Sequence, residues 1–310
     1  MQRPPFELLF EQVVTYPDSD YQERLNDLVG LDSHIERLRK MLGVLVNPFG
    51  IEQWQKQHHQ KADKLLNFVL KRPPLVVLAG DVGSGKTELA TTIGDAVARQ
   101  EKIDIELYPL SLATRGEGRV GQMTQLVTAA FDYTYEKAAK LKGSSGKSRG
   151  AVILMVDEAD SLTQSRENSQ MHHEDRAGVN AFIRGIDRLA NAKVPAAVIL
   201  CTNRSTALDP AIKRRAAEIL SFSRPNTEQR LFMLTKLLAG LELTEEIIKK
   251  LADSTGPNEQ RTYGLTYSDL TQRLIPAMVF GAYPDQSISP ESAINAANGL
   301  IPTPPFNDEN

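Results

Sequence analysis

The apolar run Leu75-Val76-Val77-Leu78-Ala79 leads directly into Gly80-Asp81-Val82-Gly83-Ser84-Gly85-Lys86-Thr87, and a helical pattern opens at Glu88. A strand that turns through spaced glycines into a helix leaves backbone N–H groups unpaired at the helix start. Those donors and the helix dipole make an anion site. The spacing Gly-x-x-x-x-Gly-Lys-Thr adds an ammonium for β and γ phosphates and a hydroxyl for the magnesium ion that bridges them. We therefore expect Asp81, Val82, Gly83, Ser84, Gly85, Lys86, Thr87 and Glu88 to line a nucleotide triphosphate. The strand-to-helix setting separates this motif from a chance glycine-rich turn.

Beyond Pro73, short β-rich runs alternate with helical patterns, which predicts βαβ units and a parallel sheet with helices on both faces. The expected strands are 75–79, 103–110, 151–156, 197–202 and 219–222. Continuous apolar runs such as Val152-Ile153-Leu154-Met155-Val156 suit strands buried on both faces. Residues 142–150 are small and polar and read as a mobile surface loop. After Ser223 the pattern becomes helical, over 228–239, 245–252 and 268–281. The proline-rich stretch 299–306 is unsuited to regular helix and reads as a frayed or partner-docking tail. The expected division is an amino-terminal segment 1–26, a large α/β domain 27–223, a small helical domain 224–285 and a tail 286–310.

A magnesium nucleotide needs an oxygen-rich metal shell and an oriented water. Asp157-Glu158 follows the apolar strand 152–156, at the carboxyl end where doubly wound sheets place ligands. Asp157, with Thr87, is assigned to the metal and Glu158 to the attacking water as general base. The next strand ends in Asn203, a candidate contact for the γ-phosphate or that water.

Composition lends no support to several other classes. With 36 basic and 39 acidic residues the chain carries −3, without the basic excess expected where phosphate backbones supply affinity, so nucleic acid is not an expected partner. The start has no apolar stretch of signal-peptide length, and no apolar run of membrane-spanning length occurs, which leads to an expectation of the cytoplasm. The single cysteine, Cys201, reads as a buried small hydrophobe.

The segments Asp157-Glu158-Ala159-Asp160-Ser161-Leu162 and 202–215, with Leu208-Asp209-Pro210 and Arg214-Arg215, resemble the Walker B element and second homology region of the AAA subgroup of AAA+ ATPases. The resemblance spans roughly residues 28–281. It implies a P-loop NTPase sheet followed by a small α-helical lid, with ATP and Mg2+ as cofactors. Asp27-Leu28-Val29-Gly30-Leu31 resembles the entry segment beside adenine, which assigns Val29 and Gly30 to ATP. Residues 264–270 resemble the lid segment that closes on the nucleotide. The family also implies a homo-oligomeric ring, usually hexameric, in which Arg214 or Arg215 reaches the neighbour's γ-phosphate. The family's second arginine position falls on Ala217, and its sensor arginine near Ser268, with Arg273 the nearest candidate.

The family's substrate-gripping pore position falls on Arg119, followed by Val120, where many members have an aromatic residue. A second pore loop is expected at about 164–173, and His172-His173 reads as a helix start. Within the subgroup the chain is most similar to bacterial relatives of the pachytene-checkpoint ATPases. Those remodel HORMA-domain proteins and accompany cyclic-nucleotide synthases in antiphage signalling. The expected function is thus ATP-driven remodelling of a protein, a HORMA-domain protein first. The alternatives are a nucleic-acid loader or initiator of the wider AAA+ group and a nucleotide-switched scaffold.

Overall fold

The computed structural model describes residues 3–10, 12–111, 122–143, 147–160, 173–204, 208–259 and 261–306. Its strands are β1 (Val14–Tyr16), β2 (Leu75–Gly80), β3 (Asp104–Ser111), β4 (Gly150–Asp157), β5 (Ala196–Thr202) and β6 (Ala216–Phe222). They form one sheet in the order β1-β3-β4-β5-β2-β6. Strands β3, β4, β5 and β2 pair in parallel, so their carboxyl ends share one edge. Because helices cover the central strands, their apolar runs are buried, from Leu75 to Ala79 in β2 and from Ala151 to Val156 in β4. Each such Val, Leu or Ile contributes on the order of 1.5–3 kcal/mol.

The chain divides into two compact units, each interrupted in sequence. The first comprises 1–27, 33–79 and 87–221, and the second 28–32, 80–86 and 222–310. In the first, helices Lys86–Glu101, Gln122–Leu141 and His173–Ala192 accompany the sheet. Their core includes Leu75, Val77, Phe131, Leu154, Phe182 and Leu200. In the second, Val29 packs with Leu234, Leu251, Leu265, Leu270 and Leu274 under helices Thr227–Leu237, Glu245–Ser254, Ile275–Ala282 and Pro290–Gly299. A π turn, Asp269–Leu274, precedes Pro276, which has no N–H to donate to the preceding turn.

Four features differ from the sequence expectation. The segment 1–26 lies within the first unit: β1 pairs antiparallel with β3, Val14 opposite Leu107 and Tyr16 opposite Ile105, and helix Ser19–Asn26 follows, capped by Asp18. Three residues are too few to show a strand period. Residues 28–32 pack with the helical unit rather than with the sheet. Residues 286–306 contain helix Pro290–Gly299, opened by a Ser289–Ser292 capping box, so this stretch is not a simple tail. In the 142–150 loop Ser148 is buried, its N–H donating to Asn47 and its hydroxyl to the Val46 carbonyl. Residues 144–146 lie outside the described residues, as do Arg119 and Val120 and positions 164–172 of the second expected pore loop.

Tyr16 shows why the first strand matters. Its ring is fully buried against Gly94, where a Cβ would come within 2.3 Å, and its hydroxyl donates to the Thr91 carbonyl. Tyr16→Ala should destabilise the sheet unit by about 3–5 kcal/mol, read from chemical denaturation followed by circular dichroism.

Candidate nucleotide site

The phosphate loop belongs to the second unit, and its shape follows from its glycines. Gly80 has φ +152°, and a Cβ there would lie 2.0 Å from the Phe222 carbonyl oxygen. Only glycine admits that approach, and the next residue closes it, the Asp81 N–H donating to the same carbonyl at 3.1 Å. Gly83, at φ +67°, leaves room for Thr266 and Ser268, and its carbonyl accepts from the Ser268 N–H at 3.2 Å. The Ser84 hydroxyl donates to the Asp81 carbonyl at 2.6 Å. The Lys86 ammonium donates to the carbonyls of Gly80 at 3.1 Å and Asp81 at 2.6 Å, so its charge sits on the loop. Val82 and Gly85 are partly exposed.

Two other predicted contacts lie in this unit. Val29 is buried in the helical core, and the Gly30 carbonyl accepts from Gln229 at 3.2 Å. Tyr267, beside Ser268, has its phenol pushed up to about 12 by burial. Burial would raise the Asp269 carboxyl. The Thr266 N–H, the Thr303 hydroxyl and N–H, and Arg273 outweigh that effect and hold it below the usual carboxylate range. Arg273, the candidate sensor arginine, is thus engaged with Asp269 at 2.8 Å.

The first unit carries the Asp157–Glu158 pair. The β4–β5 register sets Val156 opposite Leu200, so Asp157 ends its strand level with Cys201, and the Ala159 N–H donates to the Cys201 carbonyl at 3.1 Å. The Thr87 hydroxyl lies 3.4 Å from Asp157 Oδ1, which also accepts from the Glu158 N–H at 2.9 Å. Glu158 is exposed and takes the left-handed conformation, φ +50°, at a cost of about 1–2 kcal/mol for a residue with a Cβ. The strand therefore turns sharply at the residue assigned to the water. Glu88 pairs with Arg24 through both carboxylate oxygens, at 2.8 and 2.9 Å.

Asn203 is positioned by a residue to which sequence reasoning gave no role. Asp160 accepts from the Thr202 hydroxyl at 2.7 Å, the Asn203 N–H at 2.8 Å and the Asn203 amide at 3.3 Å. The sequence signal was its place three residues after Asp157, but no periodicity shows that it faces the next strand.

Helix Pro210–Arg215 explains the arginines. Asp209 caps it by accepting the Ala211 N–H at 2.7 Å, Pro210 follows, and Lys213, Arg214 and Arg215 fill the last turn, where cations offset the dipole. The two arginines differ. Arg215 donates to both oxygens of Asp187, at 2.7 and 2.9 Å, a bond that raises its pKa further. Arg214 is exposed and has no ion-pair partner among the described residues.

Residues 76–224 match the model of the ATPase family associated with various cellular activities (AAA). The chain is 63% identical to CD-NTase-associated protein 6 of Escherichia coli (strain MS 115-1), over 99% of this chain and 98% of that protein. The chain belongs to the AAA ATPase family. A second protein of that name, from E. coli strain KTE188, is 36% identical over 97% of this chain and 98% of its own length. Among solved AAA structures, a chain of the E. coli MS115-1 HORMA:CdnC:Trip13 complex superposes with TM-score 0.91 at 62% identity, covering 99% of this chain and 100% of that one. Rhizobiales Trip13 gives 0.74 at 54% identity, covering 96% and 100%.

AAA membership makes the protein a nucleotide-binding ATPase of the P-loop fold. No helix among the described residues is long and apolar enough to cross a membrane. The Asp160 contacts carry a kinetic expectation. Asp160→Ala should lower ATP turnover roughly 10–100-fold while nucleotide affinity stays near wild type, read from phosphate release against a binding titration.

Proposed function

We propose that this protein hydrolyses ATP to remodel or disassemble a protein complex, as a homo-oligomeric, hexameric ring in the bacterial cytoplasm. Its substrate would be a HORMA-domain protein of an antiphage signalling system. The observation that carries the ATPase part is the Thr87–Asp157–Glu158 arrangement, covalently continuous with the Lys86 loop. The HORMA assignment rests on likeness to a chain of a HORMA:CdnC:Trip13 complex across nearly its whole length. The name CD-NTase-associated protein 6 supports the same signalling context.

In this reading Gly80–Lys86 take the phosphates. The positive φ angles of Gly83 and Gly85 would let backbone N–H groups turn toward phosphate oxygens, and the Lys86 ammonium would exchange its carbonyl contacts for those oxygens. Thr87 and Asp157 offer a hydroxyl and a carboxylate 3.4 Å apart, the hard oxygen donors that magnesium takes. Bound there, magnesium would offset negative charge on the β and γ phosphates. Glu158 accepts the proton of the attacking water, and Asn203, held by Asp160, orients that water. Val29 and Gly30 are assigned to the adenine side. Glu88, through Arg24, joins helix Ser19–Asn26 to helix Lys86–Glu101.

The arginines support the ring. Arg214 is assigned as the finger that reaches the neighbouring subunit's γ-phosphate and stabilises transition-state charge, because Arg215 is already bound to Asp187 in its own chain. Arg215 then positions the helix end. Arg119 and Val120 are assigned to the pore, where Arg119 would grip substrate through charge and hydrogen bonds.

Glu158→Gln should bind ATP with near wild-type affinity, hydrolyse it at least about 100-fold more slowly, and retain a HORMA-domain protein in an ATP-dependent pull-down. Normal turnover by that variant removes Glu158 from the mechanism, and absence of any retained HORMA protein removes the substrate assignment. Mixing Lys86→Ala with Arg214→Ala subunits should restore part of the ATPase activity that each lacks alone. The same mixture with Arg215→Ala tests the choice between the arginines.

A further inference from the structure

Asp81 puts a carboxylate inside a loop assigned to an anion. A like charge beside bound phosphate opposes binding unless it is neutralised. The structure engages both oxygens: Oδ1 accepts from the Val82 N–H at 2.9 Å, and Oδ2 accepts from Arg224 Nε at 2.5 Å. The Arg224 and Asp81 side chains are only 13% and 18% exposed, so solvent screens this pair less than a surface pair.

Arg224 spends its remaining donors on two other segments of the same unit. Nη1 donates to the Gly264 carbonyl at 2.9 Å and Nη2 to the Thr303 carbonyl at 2.7 Å, and the Tyr263 ring centre lies 5.2 Å from the guanidinium carbon. Thr303 is itself anchored, its N–H and hydroxyl donating to Asp269 at 3.0 and 2.7 Å. Asp269 also accepts the Thr266 N–H at 3.0 Å, and Thr266 and Ser268 border Gly83. The loop is thereby held at Asp81 and at Gly83 by one connected frame, and Thr303 is part of that frame.

We infer that Arg224 is a positioning residue for nucleotide binding. It neutralises Asp81 within the phosphate loop, and through Thr303 it makes the loop's geometry depend on the carboxyl-terminal segment 302–305. This inference rests on the nucleotide reading of the loop. A planar fork suits the task, since a lysine supplies the charge without the fixed geometry that reaches three segments at once.

The test is nucleotide affinity of the full chain, by titration with a fluorescent ATP analogue. Arg224→Ala should weaken binding about tenfold, because it strands the Asp81 charge beside the phosphates. Asp81→Asn should bind more tightly than Arg224→Ala, because it removes the like charge beside the phosphates. The double variant Arg224→Ala/Asp81→Asn should recover most of the loss, a rescue that a purely structural role for Arg224 does not produce. The Arg224→Ala defect should grow at low salt. Arg224→Lys, which keeps the charge, should fall between wild type and Arg224→Ala, and serves if the alanine variant does not fold. Truncation after Ile301 should weaken binding severalfold. Wild-type affinity in Arg224→Ala, or an equally weak double variant, overturns the inference, and unchanged affinity in the truncated chain overturns the link to the tail. Failure of the wild-type protein to bind nucleotide is a different result: it removes the nucleotide reading itself.

Discussion

The carbonyl of Phe222 sits where no Cβ can stand beside it, against Gly80, and accepts the Asp81 N–H. That single close approach ties the exit of β2 to the exit of β6, two strands far apart in sequence. The phosphate loop begins at this point, and so does the long helical segment of the second unit. A side chain at residue 80 would force the backbones apart and misplace every donor that follows. The glycines at 83 and 85, both at positive φ, then need only continue a path already set.

Charge placement follows a similar logic in both units. Several residues assigned to the nucleotide are held by a neighbouring side chain. Asn203 is held by Asp160, Glu158 by the Asp157 carboxylate at its N–H, and Asp81 by Arg224. For Asp81 desolvation makes such a support necessary, because a half-buried charge without a partner costs more than its contacts return. Asp269 is the extreme case, fully buried yet kept charged by two backbone N–H groups, a hydroxyl and an arginine. It links the segment beside Gly83 to Thr303.

Much of this was legible along the chain. Five strands of the sheet declared themselves as short β-rich runs, and the loop declared itself by glycine spacing, since both signals repeat over a few residues. β1 did not, because a three-residue edge strand carries no usable period and its stability comes from Tyr16 packing on Gly94. The helix at Pro290–Gly299 was hidden by alanines and asparagines with weak amphipathic contrast, although its Ser289 cap was present. The placement of 28–32 among the helices was hidden for another reason: Val29 looks the same in either core.

The sequence by itself determined the motifs and their order: a glycine-rich loop, then a carboxylate pair at a strand end, then a polar strand end and paired arginines. Residue type and short-range spacing suffice for these, because each motif is local. Only the tertiary structure decided which arginine is engaged within its own chain, what neutralises Asp81, and that the carboxyl-terminal segment takes part in the phosphate loop's frame. Those answers depend on partners 28 residues away for Arg215 and 143 away for Asp81. No spacing rule reaches that far, since such pairs are brought together by packing of the whole unit rather than by any local period.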